Sequence, residues 1–515
     1  MTVTRSVSHA AVTARRRNAV LATMCLSLVL VVASVAMLNL ALRDIALDIG
    51  ATQADQQWIV DAYVLVLAAL LLPCGALGDR YGRRRALLVG IVLFGVANIV
   101  AATVDTSTAL ITWRAIAGIG AALIMPGTLA TITSVFPPDE RARAVGVWAA
   151  FAGGGAILGM LGAGVLLEFF WWGSIFVATT VLAVLAFVAA WIVTPDTRQP
   201  DDAHLDPVGT VFSALAIGGL VLGIIEGPAR GWTDPLTIGG LVIGTIAAIA
   251  FVLWELHTPR PLLDPRLFRN RGFATGTTAL TLLFLAMFGF FFLVLQFLQL
   301  QLGYSPLKSA VAILPLALTM FPLSTVAAVA AERRGMRAVT TLGLVIGALA
   351  FVYLATLGAD ATYWHLLPGL LATGAGVALA MSPATNVIVA SLPPAKQGVA
   401  SAVNDTAREL GVALGVAILG SAFNAGYRHD INTFADGLPP QIAEPIRDAP
   451  ATALGVAQHA GPAATAIIDA AREGFAVGMR WALILGAVLL ALTALYTGLQ
   501  APGRTTNPID PDEES

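Results

Sequence analysis

Fourteen stretches of this chain are long and apolar enough to cross a lipid bilayer, and that alone rules out most folds. By reading they run at about 18–42, 54–77, 85–103, 108–132, 142–166, 172–193, 208–225, 235–256, 272–300, 308–330, 336–358, 365–390, 398–424 and 475–499. A span takes ~20 mostly apolar residues. Inside the hydrocarbon every backbone N–H and C=O must be paired within the protein, which for segments of this length means helices. With 57% of 515 residues hydrophobic and only 12% charged, little chain is left for a water-soluble domain. The expected class is an all-α membrane protein.

Orientation follows from basic residues, which collect in cytosolic loops. Arg15 to Arg17, Arg80 with Arg83 to Arg85, Arg266 with Arg269 and Arg271, and Arg333-Arg334 with Arg337 all fall on one side. That side is the cytosol, and an even number of spans returns both termini there. The net charge of −2 argues against a nucleic-acid partner, because the basic residues track loop sidedness instead of forming one face. The first span is too long for a signal-peptide core and reads as a retained anchor. Cys25 and Cys74 are expected to pack as apolar residues, without a disulfide. The excess of Arg over Lys in an Ala/Gly/Val-rich chain points to a GC-rich, bacterial genome.

Two blocks repeat after about 255 residues. Asp79-Arg80-Tyr81-Gly82-Arg83-Arg84 returns as Glu332-Arg333-Arg334-Gly335-Met336-Arg337. Gly118-Ile119-Gly120, with Pro126 and Pro137-Pro138, returns as Gly374-Ala375-Gly376, with Pro383 and Pro393-Pro394. Two similar halves with a site between them is a transporter design, in which rocking of the halves exposes the site to alternate sides. The expected organisation is a cytosolic extension over 1–17, a six-helix half over 18–193, two inserted helices over 194–256, and a second six-helix half over 257–499. A cytosolic tail occupies 500–515. The outer connection at 428–474 is expected to be a solvated loop with a short helix around Ala463 to Arg472.

Charged residues inside spans are disfavoured by ~2.5–3.5 kcal/mol each on insertion scales, so they are candidates for function. Asp61 lies about two turns into span 2, and Arg114 at similar depth in span 4, where the two could pair. Asp405, Arg408 and Glu409 share one face of span 13. The alternative is a set of buried ion pairs, such as Asp405 with Arg408, that only hold helices together. A carboxyl removed from water can hold a proton or a cationic substrate but not both comfortably, which is the basis of antiport. Gly75 and Asp79 share a face at the cytosolic end of span 2, where the positive N-terminal end of span 13 also lies. A carboxylate–dipole latch between the halves is expected there, with Gly75, Asp79, Arg80, Gly82 and Arg83. Arginines that only enforce topology are the other reading. Phe284, Phe288 and Phe291 of span 9 recur at helical spacing and face either a cavity or lipid. Phe170-Trp171-Trp172 reads as an interfacial belt.

Residues Gly75 to Arg85 resemble the signature between helices 2 and 3 of the major facilitator superfamily. Trp58-Ile59-Val60-Asp61-Ala62-Tyr63, Arg114 with Gly118 and Gly120, Pro261-Leu262-Leu263-Asp264, and Asn404-Asp405 with Glu409-Leu410-Gly411 resemble its fourteen-helix drug:proton antiporter branch. The resemblance covers roughly residues 18–425. It implies proton-coupled efflux of amphipathic, cationic drugs or dyes, with Asp61, Asp405 and Glu409 in coupling; Arg114 joins them as a candidate through its charge inside a span. A lipid or metabolite exporter, or a non-transporting receptor, is the alternative. The antiporter signature of helix 5 is present as Gly146, Gly155, Gly159 and Gly164, with Met160 in place of its Pro and Ala163 in place of a Gly. Ser34 stands where the family has an Asp in helix 1, leaving one fewer negative charge for a cationic substrate. No cofactor, metal site or enzymatic motif is expected, the proton gradient being the energy source. The remaining partners are protons, a drug-like small molecule and the bilayer, for a monomer in the bacterial cytoplasmic membrane.

Overall fold

The computed structural model describes residues 14–51, 53–195, 206–259, 261–392 and 396–502. The Pro393-Pro394 pair, most of the two terminal extensions and residues 196–205 lie outside this set. The described chain is helical: α1 (Ala14–Ile49), α2 (Gln53–Tyr81), α3 (Arg83–Ala101), α4 (Ser107–Val135), α5 (Pro138–Phe169), α6 (Ser174–Val193), α7 (Pro207–Arg230) and α8 (Pro235–His257) come first. They are followed by α9 (Arg271–Gln296), α10 (Pro306–Arg334), α11 (Met336–Leu354), α12 (Tyr363–Ala390), α13 (Gln397–Ala435), α14 (Pro440–Asp448), α15 (Pro450–Ala457) and α16 (Ala464–Gln500). All but α14 and α15 are long and apolar enough to span a membrane, giving fourteen spans among the described residues.

Local chemistry sets the helix starts. Asp206, Asp234, Asn270 and Ser305 each accept a hydrogen bond from a backbone N–H of the first turn of α7, α8, α9 and α10. Proline occupies the first position of α5, α7, α8 and α10, where its missing N–H costs no helical bond. Gly82 and Gly335, the repeated glycines, are single-residue links from α2 to α3 and from α10 to α11. Both have positive φ, 106° and 88°, a conformation that favours glycine.

The repeat in the sequence becomes a repeat of packing. In the first half α1 packs on α5 and α6, α2 on α4, and α3 on α4 and α6. In the second, α9 packs on α13 and α16, α10 on α12, and α11 on α12 and α16. The glycines of the repeated block occupy equivalent crossings. A Cβ on Gly90 would meet the Gly120 carbonyl oxygen at 2.8 Å, and one on Gly343 would meet that of Gly376 at 2.7 Å. Between the halves, α2 packs on α13 and α5 on α10, again as an equivalent pair. The inserted helices α7 and α8 pack on each other, and α7 also touches α2 and α13, so the pair sits beside one of these two seams.

One expectation is overturned. The 428–474 connection is not a solvated loop but is mostly helical: α13 continues to Ala435, and α14, α15 and the start of α16 fill most of the rest. Tyr427 Oη donates to the Ile446 carbonyl at 2.8 Å, Gln301 Nε2 donates to that of Arg472 at 2.8 Å, and Ile446, Ala453, Ala457 and Ile467 are buried. Polar and alanine-rich composition hid these apolar faces. Trp172 also departs from its expected place. It is buried, donates to Asp48 Oδ2 at 2.7 Å and packs edge-on against Phe176, while Phe170 and Trp171 are exposed.

If these crossings hold each half together, Gly120→Ala must push against backbone, since its Cβ would lie 2.8 Å from Phe94 N. We expect it to destabilise by ~1–3 kcal/mol. Gly162→Ala, with nothing near its Cβ, is expected to be neutral or stabilising. Thermal unfolding of the detergent-purified variants compares them, and equal melting temperatures would contradict the packing argument.

Candidate functional site

Charged side chains meet at mid-depth where α13 crosses the first half. Asp405 is 0% exposed and Arg408 only 3%, and small residues around them let α13 approach its neighbours closely. Arg408 Nη1 donates to Asp405 Oδ1 at 3.2 Å, and Asn404 Nδ2 donates to the same oxygen at 3.3 Å. Arg408 also reaches across the seam, where Nη2 donates to the Ala152 carbonyl of α5 at 3.2 Å. Its guanidinium lies 4.8 Å from the Phe284 ring centre and 5.5 Å from that of Trp148, faces that attract a cation. Trp148 is itself held by α4, donating from Nε1 to Thr128 Oγ1 at 3.0 Å. Asp405 Oδ2 has no hydrogen-bond partner among the described residues. Taking an ion pair out of water is unfavourable unless hydrogen bonds complete it. Here they complete it in part: Asp405 Oδ2 and Arg408 Nε are both left without one among the described residues.

In the first half the charge of opposite sign sits on α4. Arg114, 1% exposed, donates from Nε to the Ile59 carbonyl of α2 and from Nη1 to Ser34 Oγ of α1, both at 3.2 Å. Its guanidinium lies 4.2 Å from the ring centre of Tyr63, whose hydroxyl donates to the Val31 carbonyl at 3.2 Å. Across the seam, Glu409 of α13 lies within electrostatic reach of Tyr63, and also of Asp405 and Arg408. The expected pairing of Asp61 with Arg114 is not made. Ile59 and Tyr63, four residues apart, form the stripe of α2 that meets Arg114, and half-buried Asp61 falls between them on the other side of the helix.

At the end of the bundle that carries the arginine clusters, the basic face, α2 meets the start of α13. The Gly398 N–H donates to both Asp79 oxygens, at 2.8 and 3.0 Å, and the Val399 N–H donates to Oδ2 at 3.2 Å. These are first-turn amides with no partner inside their own helix, and the helix dipole adds to their attraction for a carboxylate. Arg83 closes the other side of Asp79, with Nε and Nη2 each 2.9 Å from Oδ1. Glycines make the approach possible, since a Cβ on Gly75 would lie 2.6 Å from the Gly398 carbonyl oxygen. Gln397 adds a second tie, accepting from Thr133 Oγ1 of α4 at 3.1 Å. Lys396, just before α13, donates to the Pro261 carbonyl at 2.8 Å. Its burial pulls the ammonium below the usual lysine range, while Glu255, Asp264 and Asp79 pull it back up. Of the other residues expected here, Gly82 forms the turn already described and Arg80 lies against the ring of its neighbour Tyr81. The clamp is not duplicated in the second half: Glu332, the repeat of Asp79, has Arg333 and Asp139 as its charged neighbours.

The sequence that folds into this bundle matches a known family model. The model described as Major Facilitator Superfamily covers residues 24–416. This chain belongs to the major facilitator superfamily. The multidrug efflux pump LfrA of Mycolicibacterium smegmatis is 33% identical over 93% of this chain and 95% of its own. The methyl viologen resistance protein SmvA of Salmonella typhimurium is 33% identical over 89% of this chain and 93% of its own. A crystal structure of the human organic anion transporter MFSD10 (TETRAN) superposes with a TM-score of 0.60 at 16% identity, over 93% of this chain and 99% of that one, a likeness of fold.

The α5 glycines of this major facilitator transporter serve two neighbours. A Cβ on Gly159 would meet Ala33 Cα of α1 at 2.7 Å, and Gly155 faces Val32 of the same helix. Gly146 and Gly164 face α10, and Ser324 Oγ donates to the Gly146 carbonyl at 2.8 Å. Phe284 and Phe288 are stacked at 5.9 Å, and Phe288 meets Phe291 edge-on at 5.9 Å. Phe284 and Phe291 are buried, so this stripe faces protein.

Trp148, Ala152 and Gln397 were not singled out from the sequence, and Tyr63 stood there only as the end of a motif block. The aromatic pair carries no charge to mark it, and Ala152 takes part only through its backbone. Gly398 and Val399 are held through amides, which no side-chain pattern reveals.

Removing the Asp79 charge weakens two or three charge-assisted bonds, each worth about 1.5–3 kcal/mol. Asp79→Asn is expected to move the balance between closed and open basic face by about tenfold or more. Thiol labelling of Val399→Cys, in a background lacking Cys25 and Cys74, reads this. An unchanged labelling rate would show that Asp79 does not hold the face closed.

Proposed function

We propose that this transporter exports amphipathic, cationic drugs or dyes in exchange for protons by alternating access. In this reading it lies in the bacterial cytoplasmic membrane with its basic face toward the cytosol, and Asp61, Asp405, Glu409 and Arg114 take part in coupling. The observation that carries the reading is Arg408, which bonds Asp405 on its own helix and Ala152 in the other half at once. A proton or a cation taken up by Asp405 reduces the attraction that positions Arg408. The bridge to α5 weakens with it, so occupancy and rocking of the halves are linked. One carboxylate cannot serve a proton and a cation together, and that competition makes the exchange obligatory. The Asp79 clamp closes the basic face while the site faces the other way. The relatives named for multidrug efflux and methyl viologen resistance support a drug-like cation as cargo.

Asp61→Asn and Asp405→Asn are each expected to abolish gradient-driven dye efflux at normal membrane levels. Efflux from loaded cells with an imposed pH gradient measures it, and wild-type rates in both variants would end the coupling assignment. With Ser34 in place of an acid, monovalent dyes are expected to leave faster than matched divalent ones, because each unneutralised charge in a low-dielectric site is costly. Equal initial rates for the pair would leave cavity shape as the selector.

A further inference from the structure

Arg114 is the buried cation that the export reading leaves uncompensated. Its neighbours are the Ile59 carbonyl, the Ser34 hydroxyl and the Tyr63 ring, and none of them carries a full negative charge. Nη2, also buried, has no hydrogen-bond partner among the described residues. Arg408, at comparable burial, is neutralised by Asp405 on its own helix. A guanidinium inside a membrane is expensive without a counter-charge, and its planar fork suits a carboxylate. Ser34 makes the difference: the one side chain of α1 hydrogen-bonded to Arg114 is an alcohol, which satisfies one donor and leaves the charge. On the other side of the seam stand Glu409 and Asp405, and Tyr63 lies within electrostatic reach of both Arg114 and Glu409. The transporter thus presents an arginine with no bonded counter-charge in its first half, Asp61 lying on the other side of α2, and Glu409 beside the Asp405–Arg408 pair in its second.

We propose that Arg114 binds a carboxylate of the substrate, so that amphipathic zwitterions are cargo, with the ammonium end toward Glu409 and the carboxylate on Arg114. This rests on the reading of the chain as an exporter of amphipathic cations and narrows it. A bidentate, charge-assisted contact in a site with little water is strong enough to favour the carboxylate form of a compound by about tenfold or more over its ester. An arginine that merely ties α4 to α1 and α2 would give no such preference.

The test uses the full chain, purified and reconstituted in lipid nanodiscs, and two dyes that differ at one group: a rhodamine with a free carboxyl and its ethyl ester. Fluorescence polarisation gives both dissociation constants. The wild type is expected to bind the free-carboxyl dye about tenfold tighter, although it is the less cationic of the two. Ser34→Asp, which supplies the missing counter-charge from α1, is expected to remove that preference while the ester still binds. Arg114→Gln, a second route to the same loss, guards against misfolding of the first variant. Equal or weaker binding of the free-carboxyl dye by the wild type would overturn the proposal. A preference that survives in Arg114→Gln would do the same. Binding of the ester alone would leave the export of cations standing, whereas failure of the wild type to bind either dye would remove both readings.

Discussion

The two halves meet at the basic face through a carboxylate seated on the first amides of a helix from the other half. Asp79 accepts from Gly398 and Val399 because those N–H groups have no partner within α13. The contact needs bare backbone on both sides, which Gly75 and Gly398 supply, and it needs Arg83 to keep the carboxylate in place. Everything above it inherits this geometry. With the start of α13 fixed against α2, the face carrying Asp405, Arg408 and Glu409 is turned toward the seam. Arg408 can then reach Ala152, and Glu409 can face Tyr63. The inserted pair α7–α8 rests beside this seam, and Lys396 links the start of α13 to the segment that follows α8.

Much of this was legible in the sequence, for reasons that can be named. The fourteen spans are visible because a bilayer demands apolar length and tolerates few substitutes. The repeated glycines are visible because close helix crossings need small residues at fixed spacing, and Gly120 and Gly376 occupy equivalent crossings. Asp79 and the end of α13 could be brought together on helix polarity alone. What could not be read was direction around a helix axis at the level of one side chain. Asp61 and Arg114 share a depth, yet Asp61 lies on the wrong side of α2. The helical connection between α13 and α16 was hidden too, because short helices with few apolar residues bury them against neighbours that a linear pattern does not show.

The charges inside the bundle divide unequally. The second half holds an arginine with an acid beside it and another acid one turn on, while the first holds an arginine whose nearest polar side chain is an alcohol. Such an arrangement is poorly stable as isolated electrostatics and makes better sense as an unfilled half of a larger pairing. The repeat therefore constrains the backbone more strongly than it constrains the charge. Glu332 illustrates the same point at the basic face, where it repeats Asp79 in sequence without repeating its clamp.

The single-glycine links at 82 and 335 bear on how the molecule can move. A joint of one residue fixes the ends of the two helices it connects to within a few ångströms, and α2 and α3, like α10 and α11, can pivot but not slide apart. Both joints lie inside a half, at the same end of the bundle and at equivalent positions. Freedom removed there must reappear elsewhere, and the surfaces left to shear lie between the halves, chiefly where α2 crosses α13 and α5 crosses α10. Each half thus behaves as a lever stiffened near its base, and small displacements at mid-depth are amplified toward the face farthest from the glycine joints.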